Sequence, residues 1–137
     1  MRPIIRLVRR WSEIWDTRVV CPGFLSVNEK DSLISLANTF GLSPELGTTR
    51  LVVRDVDWVI KLPINIEGEG CNYNEHEKYR SGDRRLARCR LVGNVLVMEY
   101  VTHHPEPIGK LPSWCSFIDC CQVGYNRKGM LVAYDYG

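Results

Sequence analysis

The sequence lacks the features that mark a membrane-spanning or secreted chain. Its longest apolar runs are about five residues, whereas a membrane-spanning helix needs about twenty. Residues 1–15 mix arginines with apolar side chains, so they contain neither the continuous apolar stretch nor the small-residue cleavage site of a secretory signal. We therefore expect a cytoplasmic protein, in which the six cysteines are reduced, partly buried thiols rather than disulfides.

The chain also lacks a strong charge imbalance and internal repeats. Its formal net charge of +2 is too small to indicate a nucleic-acid or membrane partner by itself. Its 45% hydrophobic and 25% charged residues are ordinary for a globular protein, and 137 residues leave room for one domain. We expect a single domain over residues 1–137, with a helical extension over residues 1–42 and a core over residues 43–137.

Two helices are expected at the start of the chain. Asn28, with Asp31 three residues later, is expected to cap the second helix, which ends near Phe40. In the first helix, over residues 3–17, arginines oppose an apolar face, so the helix either packs on the domain or touches a partner, a membrane surface or a DNA backbone. The residues of this apolar face are Ile4, Leu7, Val8, Trp11, Ile14 and Trp15.

The pattern then changes to short β-rich runs joined by turn residues. Gly93-Asn94 is a strong hairpin signal, and a further helix is expected over residues 73–81. These features predict an α+β fold: a twisted antiparallel sheet of about five strands with one packed helix, two added N-terminal helices and a C-terminal hairpin. The strands are expected at residues 48–54, 58–62, 88–92, 95–101, 123–125 and 130–134.

Five short motifs follow one another along the predicted core. Gly47-Thr48-Thr49-Arg50 leads into a strand, and Val59-Ile60-Lys61 places a lysine at the end of a β-rich run. Asn74-Glu75-His76-Glu77 lies on the predicted helix. A strand over residues 96–101 runs into a proline-rich loop, and Asp135-Tyr136-Gly137 closes the sequence.

The order and spacing of these motifs over residues 45–137 resemble the small lobe of protein kinases. In kinases a lysine on the third strand contacts the α- and β-phosphates of ATP and pairs with a glutamate on the following helix. The resemblance makes Lys61 the matching lysine and Glu77 the preferred matching glutamate, with Glu75 second. From the residues alone, the preferred role for this pair is a structural ion pair that ties the helix to the sheet, and a nucleotide contact is the alternative.

The same resemblance implies a nucleotide cleft. Gly47 corresponds to the phosphate loop, Met98 to the gatekeeper, and Glu99 to Val101 to the hinge. Asp135 corresponds to the metal-binding acid, and the ligand implied is ATP with magnesium, but a surface acid is the preferred interpretation of Asp135.

The catalytic parts of a kinase are incomplete in this sequence. Gly47 is alone where kinases use two or three glycines to let backbone amides approach phosphate. The catalytic-loop aspartate is expected near Phe117 and the downstream asparagine near Gln122, but Asp119 is out of register. About thirty residues separate the hinge from Asp135, too few for the helices of a catalytic lobe, and we expect no activation segment. We therefore expect little or no phosphotransfer.

Three functional hypotheses follow. The first is a catalytically inactive, kinase-like protein that binds and modulates a host protein. The segments 61–65, 74–77 and 123–137 resemble those of small bacteriophage-encoded kinase-like proteins, which implies the host cytoplasm. The second is a nucleotide-binding domain with weak or partner-dependent phosphotransfer. The third is a nucleic-acid-binding module that uses the first helix and the arginine-rich stretch 80–90. Candidate partner-binding residues are Trp11, Trp15, Arg84, Arg85 and Trp114.

A zinc site is the remaining alternative. The candidate ligands lack the short paired spacing of structural zinc sites, so buried thiols are the preferred interpretation and no cofactor is expected. These candidates are His103, His104, Cys115, Cys120 and Cys121.

Overall fold

The computed structural model describes residues 2–17, 24–83, 85–103, 112–114 and 122–134. These residues form an α+β fold with a five-stranded antiparallel sheet and a small three-stranded sheet, which confirms the predicted layout. The helices are α1 (Pro3–Asp16), α2 (Val27–Thr39) and α3 (Ile66–Arg80). The large sheet, in the order β1-β2-β3-β5-β4, contains β1 (Ser43–Leu46), β2 (Arg50–Arg54), β3 (Trp58–Pro63), β4 (Cys89–Val92) and β5 (Val95–Glu99).

Helix α1 packs on the domain through its apolar face, as one of the two interpretations of its sequence predicts. Leu7, Trp11 and Ile14 are buried, and the Trp11 indole Nε1–H donates a hydrogen bond to the Pro63 carbonyl at 2.8 Å. The Trp15 ring stacks on Trp11 with the ring centroids 5.3 Å apart. The helix is thereby fixed to the end of β3 by both apolar burial and one buried hydrogen bond.

Helix α2 begins earlier than the sequence interpretation expected. Ser26 rather than Asn28 caps it: the Glu29 amide donates to Ser26 Oγ at 3.2 Å, and the Ser26 amide donates to Glu29 Oε1 at 2.9 Å. The prediction of Asn28 with Asp31 was wrong because Ser-x-x-Glu is the stronger capping box, in which both side chains satisfy free amides.

The two faces of the large sheet bury different residues because successive side chains of a strand point to opposite sides. We call one the helix-covered face, where apolar residues of β2, β3 and β5 pack with α1 and α2. We call the other the cleft face, where Val52, Lys61 and Met98 line a cavity. The helix-covered face carries Leu51, Val53, Ile60, Leu62 and Val95.

Helix α3 starts at Ile66 rather than near residue 73 as predicted. Asn65 caps it by accepting the Gly68 amide at 2.9 Å. Gly68 and Gly70 weaken the helical signal in the first turns, which is why the sequence pattern missed them. Gly68 is required by packing, since a Cβ there would overlap the Thr49 carbonyl oxygen.

The small sheet contains β6 (Thr102–His103), β7 (Val123–Tyr125) and β8 (Leu131–Ala133). The predicted hairpin of β7 and β8 is confirmed, whereas β1 and β6 were not predicted. Backbone hydrogen bonds join β8 to the segment before β4: the Ala133 amide donates to the Arg85 carbonyl at 2.7 Å, and the Ala87 amide to the Ala133 carbonyl at 2.8 Å. This join brings Tyr134 to the cleft face of the large sheet.

Candidate functional site

A buried ion pair connects β3 to α3. Lys61 Nζ lies 2.9 Å from Glu75 Oε2 and 3.2 Å from Oε1, and the two residues are 4% and 0% exposed. The prediction that a lysine of β3 pairs with a glutamate of the next helix is confirmed, but the preferred partner, Glu77, was wrong. Glu77 lies on the solvent side of α3 and pairs with Arg80 at 3.3 Å. Two residues rotate a helix by about 200°, so only one of these glutamates can face the sheet.

Arg50 adds a second cation to the same carboxylate. Its Nη2 lies 2.8 Å from Glu75 Oε1, its Nη1 donates to Asn72 Oδ1 at 3.0 Å, and the residue is 7% exposed. Sequence reasoning did not assign Arg50 a role. The alternation of side chains along a strand was the available signal for the face on which Arg50 lies. Arg50 is two residues from Val52, and Val52 pairs with Lys61, so the three side chains point to the same face of the sheet.

Asn72 fixes the rotation of α3 against the sheet. Its Nδ2 donates to the Lys61 carbonyl at 2.9 Å and to the Asn94 carbonyl at 2.8 Å. The side chain is fully buried, so these bonds satisfy polar groups that would otherwise be costly to bury. The result is a polar cluster, which we call the Glu75 cluster, formed by Arg50, Lys61, Asn72 and Glu75.

The charges of the Glu75 cluster keep its carboxylate ionised. Burial alone raises the pKa of Glu75, but the Lys61 ammonium and the Arg50 guanidinium together more than offset burial, so the pKa lies below its ordinary value. The Lys61 ammonium also donates to the Tyr134 carbonyl at 2.7 Å. An ammonium has three N–H donors, and in the described part of the chain three oxygen atoms lie at hydrogen-bonding distance from it: Glu75 Oε1, Glu75 Oε2 and this carbonyl.

A cavity of about 270 Å³ lies beside this cluster. It brings together five of the residues that the kinase resemblance assigned to a nucleotide cleft. The predicted Glu77 does not line it, and Asp135 lies outside the described residues. The five are Gly47, Lys61, Met98, Glu99 and Val101.

The loop over residues 47–49, which the kinase resemblance assigned to phosphate, is held by hydrogen bonds to its backbone groups. The Gly47 amide donates to the Arg50 carbonyl at 2.9 Å, which closes the turn between β1 and β2. Asn65 Nδ2 donates to the Thr48 carbonyl at 3.1 Å, and the Ile64 amide to the Thr49 carbonyl at 3.0 Å. The Gly47 amide is thus already engaged, whereas a phosphate loop needs amides free to face its ligand.

The side chain of Glu99 is turned toward polar groups outside the cavity. It accepts the Arg88 amide at 2.9 Å and lies 3.3 Å from Arg88 Nε. Its own amide donates to the Arg88 carbonyl at 2.9 Å, and the Tyr100 amide donates to the Asp57 carbonyl at 3.1 Å. These two amides of the predicted hinge are therefore engaged within the fold.

The candidate partner-binding residues divide between core and surface. Trp11 is 3% exposed, so the prediction that it anchors a partner was wrong, and Trp15 is half-buried against it. The Arg85 guanidinium lies 5.6 Å from the Trp114 ring centroid, and Arg85 Nη2 lies 2.8 Å from Asp83 Oδ2. This hydrogen-bonded pairing lowers the pKa of Asp83 and raises that of Arg85. Arg84 lies outside the described residues.

The arginine-rich stretch is largely paired with acids. Arg80, Arg85 and Arg88 lie within 3.3 Å of carboxylate oxygens of Glu77, Asp83 and Glu99 respectively. Cations that already have acidic partners are less available to phosphates, which weakens the nucleic-acid hypothesis.

Most of the candidate ligands of the predicted zinc site lie outside the described residues. Of its candidate ligands only His103 is described, in β6, and within the described part of the chain no group of three or more side chains is arranged to hold a metal ion. The two described cysteines, Cys71 and Cys89, are half-buried thiols that form no disulfide, as expected. Of the helices in the described ranges, none has the length and apolar character needed to cross a bilayer.

No protein-family model matches the chain, and no curated protein matches it significantly.

Proposed function

We propose that the protein is a non-catalytic, kinase-like binding protein whose cleft stabilises its own fold instead of holding a nucleotide. The observation that carries the proposal is the position of the Lys61 ammonium between the Glu75 carboxylate and the Tyr134 carbonyl. A phosphate-binding lysine needs donors that face the ligand. Here the acceptors that the described residues place around the ammonium, two carboxylate oxygens and one carbonyl, belong to the protein itself.

The geometry around the ammonium supports the same proposal. In kinases the lysine keeps its glutamate partner while it contacts the phosphates. A nucleotide here would therefore have to displace the Tyr134 carbonyl, which lies 2.7 Å from Lys61 Nζ. The cavity of about 270 Å³ is also slightly smaller than the range of about 300–1,000 Å³ typical of ligand pockets. Arg50, one of its lining residues, is held in place by Asn72 and Glu75.

The partner we propose is a protein of a bacterial host, and the site of action is the host cytoplasm. This part depends on the sequence resemblance to small bacteriophage-encoded kinase-like proteins, since fold analogy alone does not determine function. The immobilised protein should recover one bacterial protein from lysate, and the purified pair should re-form a 1:1 complex with or without ATP. Failure to recover any stoichiometric protein would count against the proposal.

The proposal that the cleft holds no nucleotide is tested by thermal unfolding in the presence of MgATP. A ligand that binds only the native state raises its stability by RT ln(1 + [L]/Kd), so binding at 100 times Kd would add about 2.7 kcal/mol. We expect no rise in Tm for the wild type at millimolar MgATP. Lys61→Ala serves as the matched variant: the change in its Tm on addition of MgATP is measured in the same way and compared with that of the wild type.

A nucleotide-binding domain with partner-dependent phosphotransfer is the second candidate. The observation that favours it is the shared cavity of Gly47, Lys61, Met98, Glu99 and Val101, whose lining also includes the cationic residues Arg50 and Arg54. A Tm rise with MgATP that disappears in Lys61→Ala would replace the first proposal by this one.

A further inference from the structure

A larger concavity lies on the other side of the sheet, between α1 and strands β3, β4 and β5. We call it the α1 groove; its volume is about 800 Å³, against about 270 Å³ for the cleft cavity. Helix α1 forms one wall with Ile4, Ile5 and Val8, and the strands form the floor with side chains that include Val95 and Val97. The groove is therefore an extension of the helix-covered face that α1 leaves uncovered.

The α1 groove exposes large apolar side chains in one place. Ile5, Trp58 and Val92 line it, and they are 48%, 42% and 49% exposed. Single exposed apolar residues are normal, but a contiguous apolar patch bordered by polar residues is typical of an interaction site. Trp58 lies in the groove, and tryptophan is, with tyrosine and arginine, one of the residue types most enriched among binding hot spots.

The border of the groove is positively charged. Arg2, Arg9, Arg88 and Arg90 are among its lining residues, and these lining residues contain no aspartate or glutamate. Arg88 is engaged by Glu99, but within the described ranges Arg2, Arg9 and Arg90 have no acidic partner.

The start of α1 adds to this positive potential. The first turn of the helix contains no acidic residue, and its N-cap, Arg2, makes no side-chain capping hydrogen bond. The helix macrodipole contributes a further partial positive charge at that end. Charge complementarity therefore favours an occupant that carries carboxylates beside an apolar face.

We propose that the α1 groove binds an amphipathic helix of a partner protein, with an apolar face directed at the sheet and acidic residues facing the arginines. A helix is the fitting element because the groove runs beside α1 over the sheet, where a second helix would continue the same layer. A strand added at the edge of β4 would extend the sheet and leave the groove floor uncovered. The inference rests on the proposed binding function, but it does not depend on whether the cleft takes a nucleotide.

The test is a display selection of random peptides of about four helical turns against the purified protein. The enriched peptides should carry apolar residues at i, i+3 or i+4 and i+7, with aspartate or glutamate beside them. Two groove variants are then compared with the wild type by fluorescence anisotropy, Ile5→Glu/Val92→Glu and Arg9→Glu/Arg90→Glu. Both should weaken binding by about tenfold or more, and wild-type binding should weaken as NaCl rises from about 0.1 to 0.5 M.

Matched variants outside the groove make the result specific. Val27→Glu replaces an apolar side chain that is 67% exposed on α2, and Arg80→Glu reverses an exposed arginine at the end of α3. Both should bind within about twofold of the wild type, because surface changes away from an interface have small effects. Since all the altered groove residues are exposed, thermal melts should show each variant folded.

Three outcomes would overturn the proposal: no enrichment, enriched peptides that bind the groove variants as well as the wild type, or a homodimer in sedimentation that Ile5→Glu/Val92→Glu dissociates. Binding of MgATP would contradict the proposal that the cleft holds no nucleotide and would leave the groove result unaffected, so the two failures are distinguishable.

Discussion

The two faces of the large sheet are stabilised in different ways. The helix-covered face buries aliphatic side chains against α1 and α2, whereas the cleft face beside α3 buries the Glu75 cluster. The free energy gained by apolar burial is proportional to the area buried and is little affected by small changes of geometry. The stability of a buried ion pair depends on each of its hydrogen bonds being made. We therefore expect mutations on the cleft face to act through charge and geometry, and mutations on the helix-covered face through volume.

The largest expected effect is that of Glu75→Ala. It leaves the Lys61 ammonium and the Arg50 guanidinium buried without their carboxylate, which costs about 3–5 kcal/mol of unfolding free energy. Glu77→Ala, two residues along the same helix, should change stability by no more than about 0.5 kcal/mol, because Glu77 is at the surface. Urea unfolding followed by circular dichroism measures both, and equal losses would contradict the assignment of Glu75.

The helix-covered face is tested by Leu7→Ala. Leu7 is completely buried in α1, so its truncation should cost about 2–5 kcal/mol through lost burial and the remaining cavity. Ile5→Ala on the same helix is the control. Because the Ile5 side chain is half-exposed, this change should lower the free energy of unfolding clearly less than Leu7→Ala does. A Leu7→Ala loss below about 1 kcal/mol would mean that α1 is not packed on the sheet as described.

The pH dependence of stability should distinguish the faces. The pKa of Glu75 in the folded protein lies below the ordinary value of 4.5, so the unfolded chain binds more protons as the pH falls below that value. The free energy of unfolding from this group should therefore decrease as the pH falls below about 4.5, by up to about 1.4 kcal/mol per pH unit. Leu7→Ala should keep this slope and Glu75→Gln should reduce it. An unchanged slope in Glu75→Gln would show that Glu75 carries no such dependence.

The smallest predicted effect concerns the start of α2. Ser26→Ala removes one side of the capping box and should cost about 1 kcal/mol. Asn28→Ala, at the position that the sequence interpretation preferred, should be nearly neutral. Thermal unfolding of the two variants in parallel makes the comparison, and a larger loss for Asn28→Ala would contradict the observed cap.

The helix-covered face was the more predictable of the two from sequence. The period of 3.6 in α1 places the core residues of that helix without reference to the rest of the fold, and the short β-rich runs locate β2, β3 and β5. The Gly93-Asn94 turn likewise located the hairpin of β4 and β5. These signals are local. Apolar burial requires only that the spacing of hydrophobic residues match the period of the helix or strand that they form.

The cleft face was only partly predictable because its contacts depend on tertiary geometry. The lysine was identified from its place at the end of β3, but the choice between Glu75 and Glu77 depends on the rotation of α3. That rotation is set where the helix begins, at Asn65, and by the Asn72 contacts to two carbonyls. Arg50 was missed because the period of two places Arg50 and Arg54 on the same face of the sheet and does not show which of the two arginines is buried.

The central claim is that Lys61 and its neighbours serve the fold, and a titration of the ¹⁵N-labelled protein with MgATP tests it most directly by NMR. We predict that the amide resonances of Gly47, Lys61 and Glu99 do not shift at millimolar MgATP. Saturable shifts confined to these cavity residues, with a Kd below about 1 mM and lost in Lys61→Met, would contradict the claim.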